Sequence, residues 1–242
     1  MIHLHAEDVW NTVVTIECET ENISYESSIA FLHQVDELFS TYLPNSQVSK
    51  LRKSELEISR AHAYIQEVWQ GCIQIKELTD GAFDPWAVSG GFDPSGYVKG
   101  WAAENISNQL ISLGAKHIQV NAGGDISLRG GKDENTPWKI GVAHPDLANE
   151  ISKIYQISNG AIATSGTAEL GNHIVDPDTK TIAIGARSAT VVGPDAGIAD
   201  ALATALIVAG RSGASWFSKT ELLNYSAWVV DRDSDTTWEI LR

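Results

Sequence analysis

The chain has 242 residues, 43% of them apolar and 20% charged, with a formal net charge of −14. That length can bury a sizeable core, as one large domain or as two small lobes. The acidic excess excludes wrapping nucleic acid or lying on an anionic membrane, and an anionic ligand would need local help from helix N-termini, a metal or a placed lysine.

Residues 1–22 carry His3, His5, Glu7, Asp8, Glu17, Glu19 and Glu21, with no basic region and no long apolar run, so no targeting signal is read there. No stretch approaches the ~20 apolar residues of a membrane helix. Cys18 and Cys72 lack metal-ligand spacing and are expected as two buried thiols of a cytoplasmic protein. β-Branched content predicts a strand over 9–17. An amphipathic helix follows over 25–39, with Phe31, Leu32, Val35, Leu38 and Phe39 on one face. Pro44-Asn45-Ser46 marks a turn. A second helix is predicted over 54–78, with Tyr64, Ile65, Val68, Cys72 and Ile75 in register and a stop at Asp80-Gly81.

Residues 81–100 are rich in glycine and proline and read as a loop built from turns. A third helix is predicted over 98–113, ended by Gly114. Short strands are expected over 117–120, 126–128 and 138–142, with Gly130-Gly131 as a hairpin turn between the last two. Further strands fit 151–157, 161–164, 181–184 and 188–192. Residues 198–209 are apolar on nearly all sides, which predicts a deeply buried helix ended by Gly210. Residues 225–230 and 237–241 form a closing hairpin. The expected class is α+β, with helices packed on a mixed, largely antiparallel sheet. No linker or long repeat divides residues 1–242, read as one domain that could open into two lobes.

Four segments could carry chemistry. Asn121-Ala122-Gly123-Gly124-Asp125 follows a strand; two glycines allow a close ligand approach or a sharp turn, and locally a turn with Asp125 bonded to its own backbone is favoured. Residues 93–100 lead into a helix, where free N–H donors suit phosphate; Lys99 near such an N-terminus either meets an anion or is simply exposed. His173, before Asp176-Pro177, is more often a satisfied residue than a catalyst when judged alone. Asp200 and Thr204 lie at i, i+4 in an apolar helix and share a face. A buried carboxylate needs a partner or a metal, and a hard oxygen pair suits Mg²⁺; the competing reading makes Asp200 the helix cap.

Seven motifs in order resemble the FAD:protein FMN transferase family, also called the ApbE family, in a short variant. They are Phe39-Ser40-Thr41-Tyr42 with Pro44 and Ser46, the loop Thr79-Asp80-Gly81-Ala82-Phe83-Asp84-Pro85, residues 93–100, and residues 121–125. Ala163-Thr164-Ser165-Gly166, His173-Ile174-Val175-Asp176-Pro177 and residues 200–206 complete the set. The resemblance implies a flavin cleft, Mg²⁺ as cofactor and FAD as substrate, with FMN passed to a Thr or Ser of an acceptor flavoprotein and AMP released. It implies FAD contacts from Tyr42, Ala82, Phe83, Asp84, Asp93 and Lys99. It implies metal ligation by Gly96 (through its carbonyl), Asp200 and Thr204, and His173 as general base. Trp10 stands near the family's first flavin contact, with Asn11 in place of a usual glycine. The family's long insert between the two loops is reduced here to residues 86–92, which implies a more open pocket or one completed by another subunit. FAD hydrolysis to FMN and AMP uses the same residues, and a non-catalytic flavin-binding protein is the rival from another class.

Overall fold

The computed structural model describes residues 1–21, 24–166, 174–234 and 236–241. Among these, strands β1 (Ile2–Val9), β2 (Thr12–Glu19), β3 (Lys116–Ala122), β4 (Asp125–Arg129), β5 (Trp138–Ala143), β6 (Ile151–Ile157), β7 (Gly160–Gly166), β8 (Ala186–Gly193), β9 (Ser226–Asp231) and β10 (Thr237–Ile240) make two sheets. The helices are α1 (Glu26–Phe39), α2 (Gln47–Arg52), α3 (Ala63–Leu78), α4 (Ser95–Ser112) and α5 (Ala196–Ala209). Eight strands form one sheet in the order β1-β2-β3-β4-β7-β8-β9-β10, and β5 pairs with β6. Every described pairing is antiparallel. This is the expected α+β class, with the large sheet unbroken from edge to edge.

Both faces of the large sheet are covered. On one, α5 lies in the main core with Ala163, Ala189 and Val191 of the sheet and Val68, Cys72 and Ile75 of α3. Helix α5 is buried nearly all round, with Ala199, Ala201, Leu202, Ala203, Ala205 and Leu206 fully enclosed. Its alanines allow a close approach, and Gly100 of α4 makes the tightest one: a Cβ there would meet the Ala196 carbonyl oxygen at 2.2 Å. On the other face, Ile126, Leu128, Ile162, Trp228 and Val230 pack with Trp138, Val142 and Ile157 of the β5–β6 pair. Among the described residues no helix is long and apolar enough to cross a membrane.

Several local expectations change. The predicted strand over 9–17 is two strands, because Trp10 and Asn11 both take positive φ (58° and 57°) and reverse the chain. Asparagine tolerates that conformation, which accounts for its place where a glycine is usual. The polar alternation of His3, His5 and Glu7 concealed β1, an edge strand. The helix expected over 54–78 begins at Ala63, since Ser54 sits at φ 60° and His62 Nδ1 caps the Tyr64 N–H at 3.2 Å. Residues 47–52, to which the sequence assigns no element, form α2 after the expected turn; Ser46 is its N-cap, accepting the Ser49 N–H at 2.9 Å. Gly130 and Gly131 do take positive φ, but they carry the chain out of the large sheet rather than joining β4 to β5. Residues 181–184 contribute only an isolated Val175–Ile182 bridge; Ile182 and Ile184 remain exposed, so no packing turns their β propensity into a strand. The strand over 188–192 and the closing hairpin form as expected.

Candidate functional site

The site grows from alternation along β4. Ile126 and Leu128 point into the core under β5–β6, so Asp125, Ser127 and Arg129 face the helices. All three meet α4. Ser127 Oγ donates to Glu104 Oε2 at 3.1 Å, Arg129 pairs with Glu104, and the Lys99 ammonium pairs with Asp125. The Gly123-Gly124 turn, with φ of 66° and 101°, delivers Asp125 to this position. The turn reading of these glycines holds, with Asn121 Oδ1 accepting the Gly124 N–H, while Asp125 bonds the Lys99 ammonium.

Helix α5 supplies the second acid. Asp195, not Asp200, is its N-cap, accepting the Ile198 N–H at 2.8 Å. The capping explanation for Asp200 therefore fails. Asp200 is 3% exposed inside the helix, and its Oδ2 is buried without a hydrogen-bond partner. The Gly100 N–H, turned toward the carboxyl group, favours its charged form. Burial first, and the neighbouring Asp125 second, hold that carboxyl above the usual carboxylate range, against the pull of Lys99 and the Gly100 N–H. An unpartnered carboxylate in such surroundings costs several kcal/mol unless a cation joins it.

Thr204 follows one turn later, its Oγ1 3.1 Å from Ser165 Oγ at the end of β7. Gly96 abuts it: a Cβ on Gly96 would lie 3.0 Å from Thr204 Oγ1 and 3.4 Å from Phe83 Cε2. Gly96 departs from helical geometry (φ −84°, ψ 20°), kinking the first turn of α4. That helix starts earlier than the expected 98, so Lys99 lies beyond the first turn. Gly96, Lys99 and Gly100 fall at i, i+3, i+4 and share the face turned toward α5. The structure thus groups Gly96, Lys99, Asp200 and Thr204 and adds Asp125 and Ser165. Their oxygen donors suit a hard divalent cation, and the orphaned Asp200 oxygen is what such an ion would satisfy.

The remaining expected contacts surround this group unequally. Buried Thr79 organises the loop after α3, donating to the Ile75 carbonyl at 2.7 Å and accepting the Phe83 N–H at 3.1 Å. Ala82 donates to the Thr79 carbonyl at 3.0 Å. Asp84 accepts from Lys76 at 2.8 Å and from the Trp86 N–H at 3.0 Å. Asp93 accepts the Ser95 N–H at 3.1 Å and has Arg52 at 3.9 Å. Tyr42 is 87% exposed, anchored through its N–H to Ser40 Oγ at 3.3 Å. His173 lies outside the described residues. Cys72, buried near Asp200, has its thiol pushed up by burial, then by Asp200 and Asp93.

Asp125 and Ser165 received no site role from the sequence. The available signal was β4 itself, where polar residues 125, 127 and 129 alternate with Ile126 and Leu128. Such a pattern normally means a solvent face; here α4 covers it.

The ApbE family model matches residues 10–89 and 89–227. The FAD:protein FMN transferase of Escherichia coli K12 is 31% identical over 150 residues, 58% of this chain and 43% of that protein. That of Vibrio cholerae is 33% identical over 129 residues, 49% of this chain and 39% of that protein. The chain therefore spans less than half the length of these relatives. The fold matches the flavin transferase ApbE of Vibrio cholerae with a TM-score of 0.84 at 21% identity, over 99% of this chain and 96% of that one. It matches the ApbE protein of Thermotoga maritima with a TM-score of 0.86 at 24% identity, over 98% and 96%.

Proposed function

The chain belongs to the ApbE family, and from that premise we propose that it transfers FMN from FAD to a Thr or Ser hydroxyl of an acceptor flavoprotein, releasing AMP, with Mg²⁺ bound. The carrying observation is the buried Asp200 oxygen without a partner, beside Thr204, Gly96 and Lys99. In this reading residues 1–242 act as one domain. The Gly96 carbonyl, Asp200 and Thr204 hold the metal. When bound, it supplies charge stabilisation to the phosphoryl oxygens and the AMP leaving group. Lys99 neutralises the pyrophosphate, and Tyr42, Ala82, Phe83, Asp84 and Asp93 orient FAD. His173 takes the proton of the attacking hydroxyl as its oxygen bonds the FMN phosphorus and the bridging P–O bond to AMP breaks. Two buried free thiols, Cys18 and Cys72, fit a reducing compartment, and we place the reaction in the cytoplasm.

The test incubates purified protein with FAD and MgCl₂, with and without an acceptor protein, and follows AMP and covalently bound flavin. Acceptor-dependent AMP with flavinylated acceptor is expected. AMP with free FMN in both tubes would instead establish FAD hydrolysis, and no AMP in either would overturn both readings.

A further inference from the structure

Asp125 is 2% exposed and forms an ion pair with Lys99, whose side chain is 31% exposed. The negative charge of Asp125 also pushes the Asp200 carboxyl up, and the Lys99 ammonium pulls it down. Asp125, Lys99 and Asp200 therefore form one electrostatic unit spanning β4, α4 and α5. Asp125 pairs with Ala122 across the two-glycine turn, and the Asn121 side chain accepts the Gly124 N–H at 2.8 Å. Two carboxylates packed together in a dry interior need positive charge between them. A single ammonium compensates only one of them, and Asp200 Oδ2 is left without a partner.

We propose that Asp125 is a positioning residue of the cation site, anchoring the Lys99 ammonium and adding a second buried negative charge beside Asp200 for a divalent ion. The inference rests on the metal reading above and extends it to a residue outside the ligand set. Counting formal charges, a divalent cation brings the unit with two carboxylates and Lys99 to +1. Without the Asp125 charge the sum is +2, so the ion binds against greater repulsion. Lys99 acts the other way on the bare ion, competing with it for the same carboxylates, although it favours an incoming pyrophosphate.

The two residues therefore have opposite effects on Mg²⁺ affinity, which a purely structural ion pair would not produce. Calorimetric titration of MgCl₂ into the protein, without FAD or acceptor, reads this directly. Asp125→Asn is expected to weaken Mg²⁺ binding by roughly 10–100-fold, the range for outer-shell partners of metal ligands. Lys99→Met is expected to tighten Mg²⁺ binding while weakening FAD. Unchanged Mg²⁺ affinity in Asp125→Asn, with only a lower melting temperature, overturns the proposal and leaves the metal reading standing. Should Asp125→Asn not fold, Lys99→Met decides: tighter binding supports the proposal, and equal or weaker binding overturns it. A parent protein that binds no Mg²⁺ sinks the metal reading and this inference together.

Discussion

Inside α5, Asp200 occupies a position where every neighbouring residue in the helix is small or apolar. Because Asp195 performs the capping, Asp200→Asn separates fold from function by the sign of its effect. Asparagine keeps the size of the side chain without its charge, which burial and the neighbouring Asp125 disfavour. The variant without metal should melt at or above the parent temperature, while its response to Mg²⁺ disappears. A melt below the parent by several degrees, with the Mg²⁺ response intact, would show that the carboxylate is structural. His173 calls for a different measurement. General-base catalysis contributes ~10²–10⁴-fold, so His173→Ala should bind FAD and Mg²⁺ normally and transfer FMN slower by about that factor. Parent transfer should rise with pH as the imidazole loses its proton, because the neutral ring is the base. Five other histidines have structural partners: His5 and His33 bond Glu7, His62 caps α3, His117 binds the Gly130 carbonyl, and His144 accepts two loop N–H groups.

At the scale of elements, the crossing of α4 and α5 sets the site. Gly100 lets the two backbones touch, and a Cβ at 2.2 Å from Ala196 O and 2.9 Å from Gly197 N would meet backbone that cannot rotate away. Gly197 answers from the other helix, its added Cβ meeting the Trp101 backbone nitrogen at 3.2 Å. Gly100→Ala should therefore force the helices apart. Overpacking typically costs about 1–3 kcal/mol, and the displacement also moves Lys99 and Gly96 relative to Asp200 and Thr204. Expected are a lower melting temperature by thermal denaturation and a weaker Mg²⁺ response. A variant with parental stability and Mg²⁺ affinity would show that the crossing has slack. Helix boundaries were legible where chemistry is local: Gly210 ends α5 with φ 56°, and the Asp80-Gly81 pair ends α3. They were misread at 54–62, where periodicity continued but Ser54 leaves helical space.

For the whole molecule, an acidic chain with net charge −14 encloses two carboxylates next to one lysine, and cation binding should couple to folding. A ligand at 100 times its dissociation constant stabilises the native state by about 2.7 kcal/mol. For a chain of this size each kcal/mol moves the melting temperature by roughly 2–4 °C. Saturating Mg²⁺ should raise the melting temperature by roughly 5–10 °C, reversibly on adding a chelator. Identical melts with Mg²⁺ and with chelator would count against a buried cation site. The covered sheet also explains why the class was readable. Alternation, helical periodicity and turn residues are encoded over a few neighbouring positions, so the sequence alone determined the α+β composition, most elements, the buried nature of α5 and the pairing of Asp200 with Thr204 on one face. Tertiary structure decided what depends on distant segments meeting: that the polar side of β4 is roofed by α4, and that Asp125 reaches Lys99 across 26 positions of chain. Neither propensity nor spacing carries that information, because the energy of a buried charge is set by which other charges and dipoles the fold brings beside it.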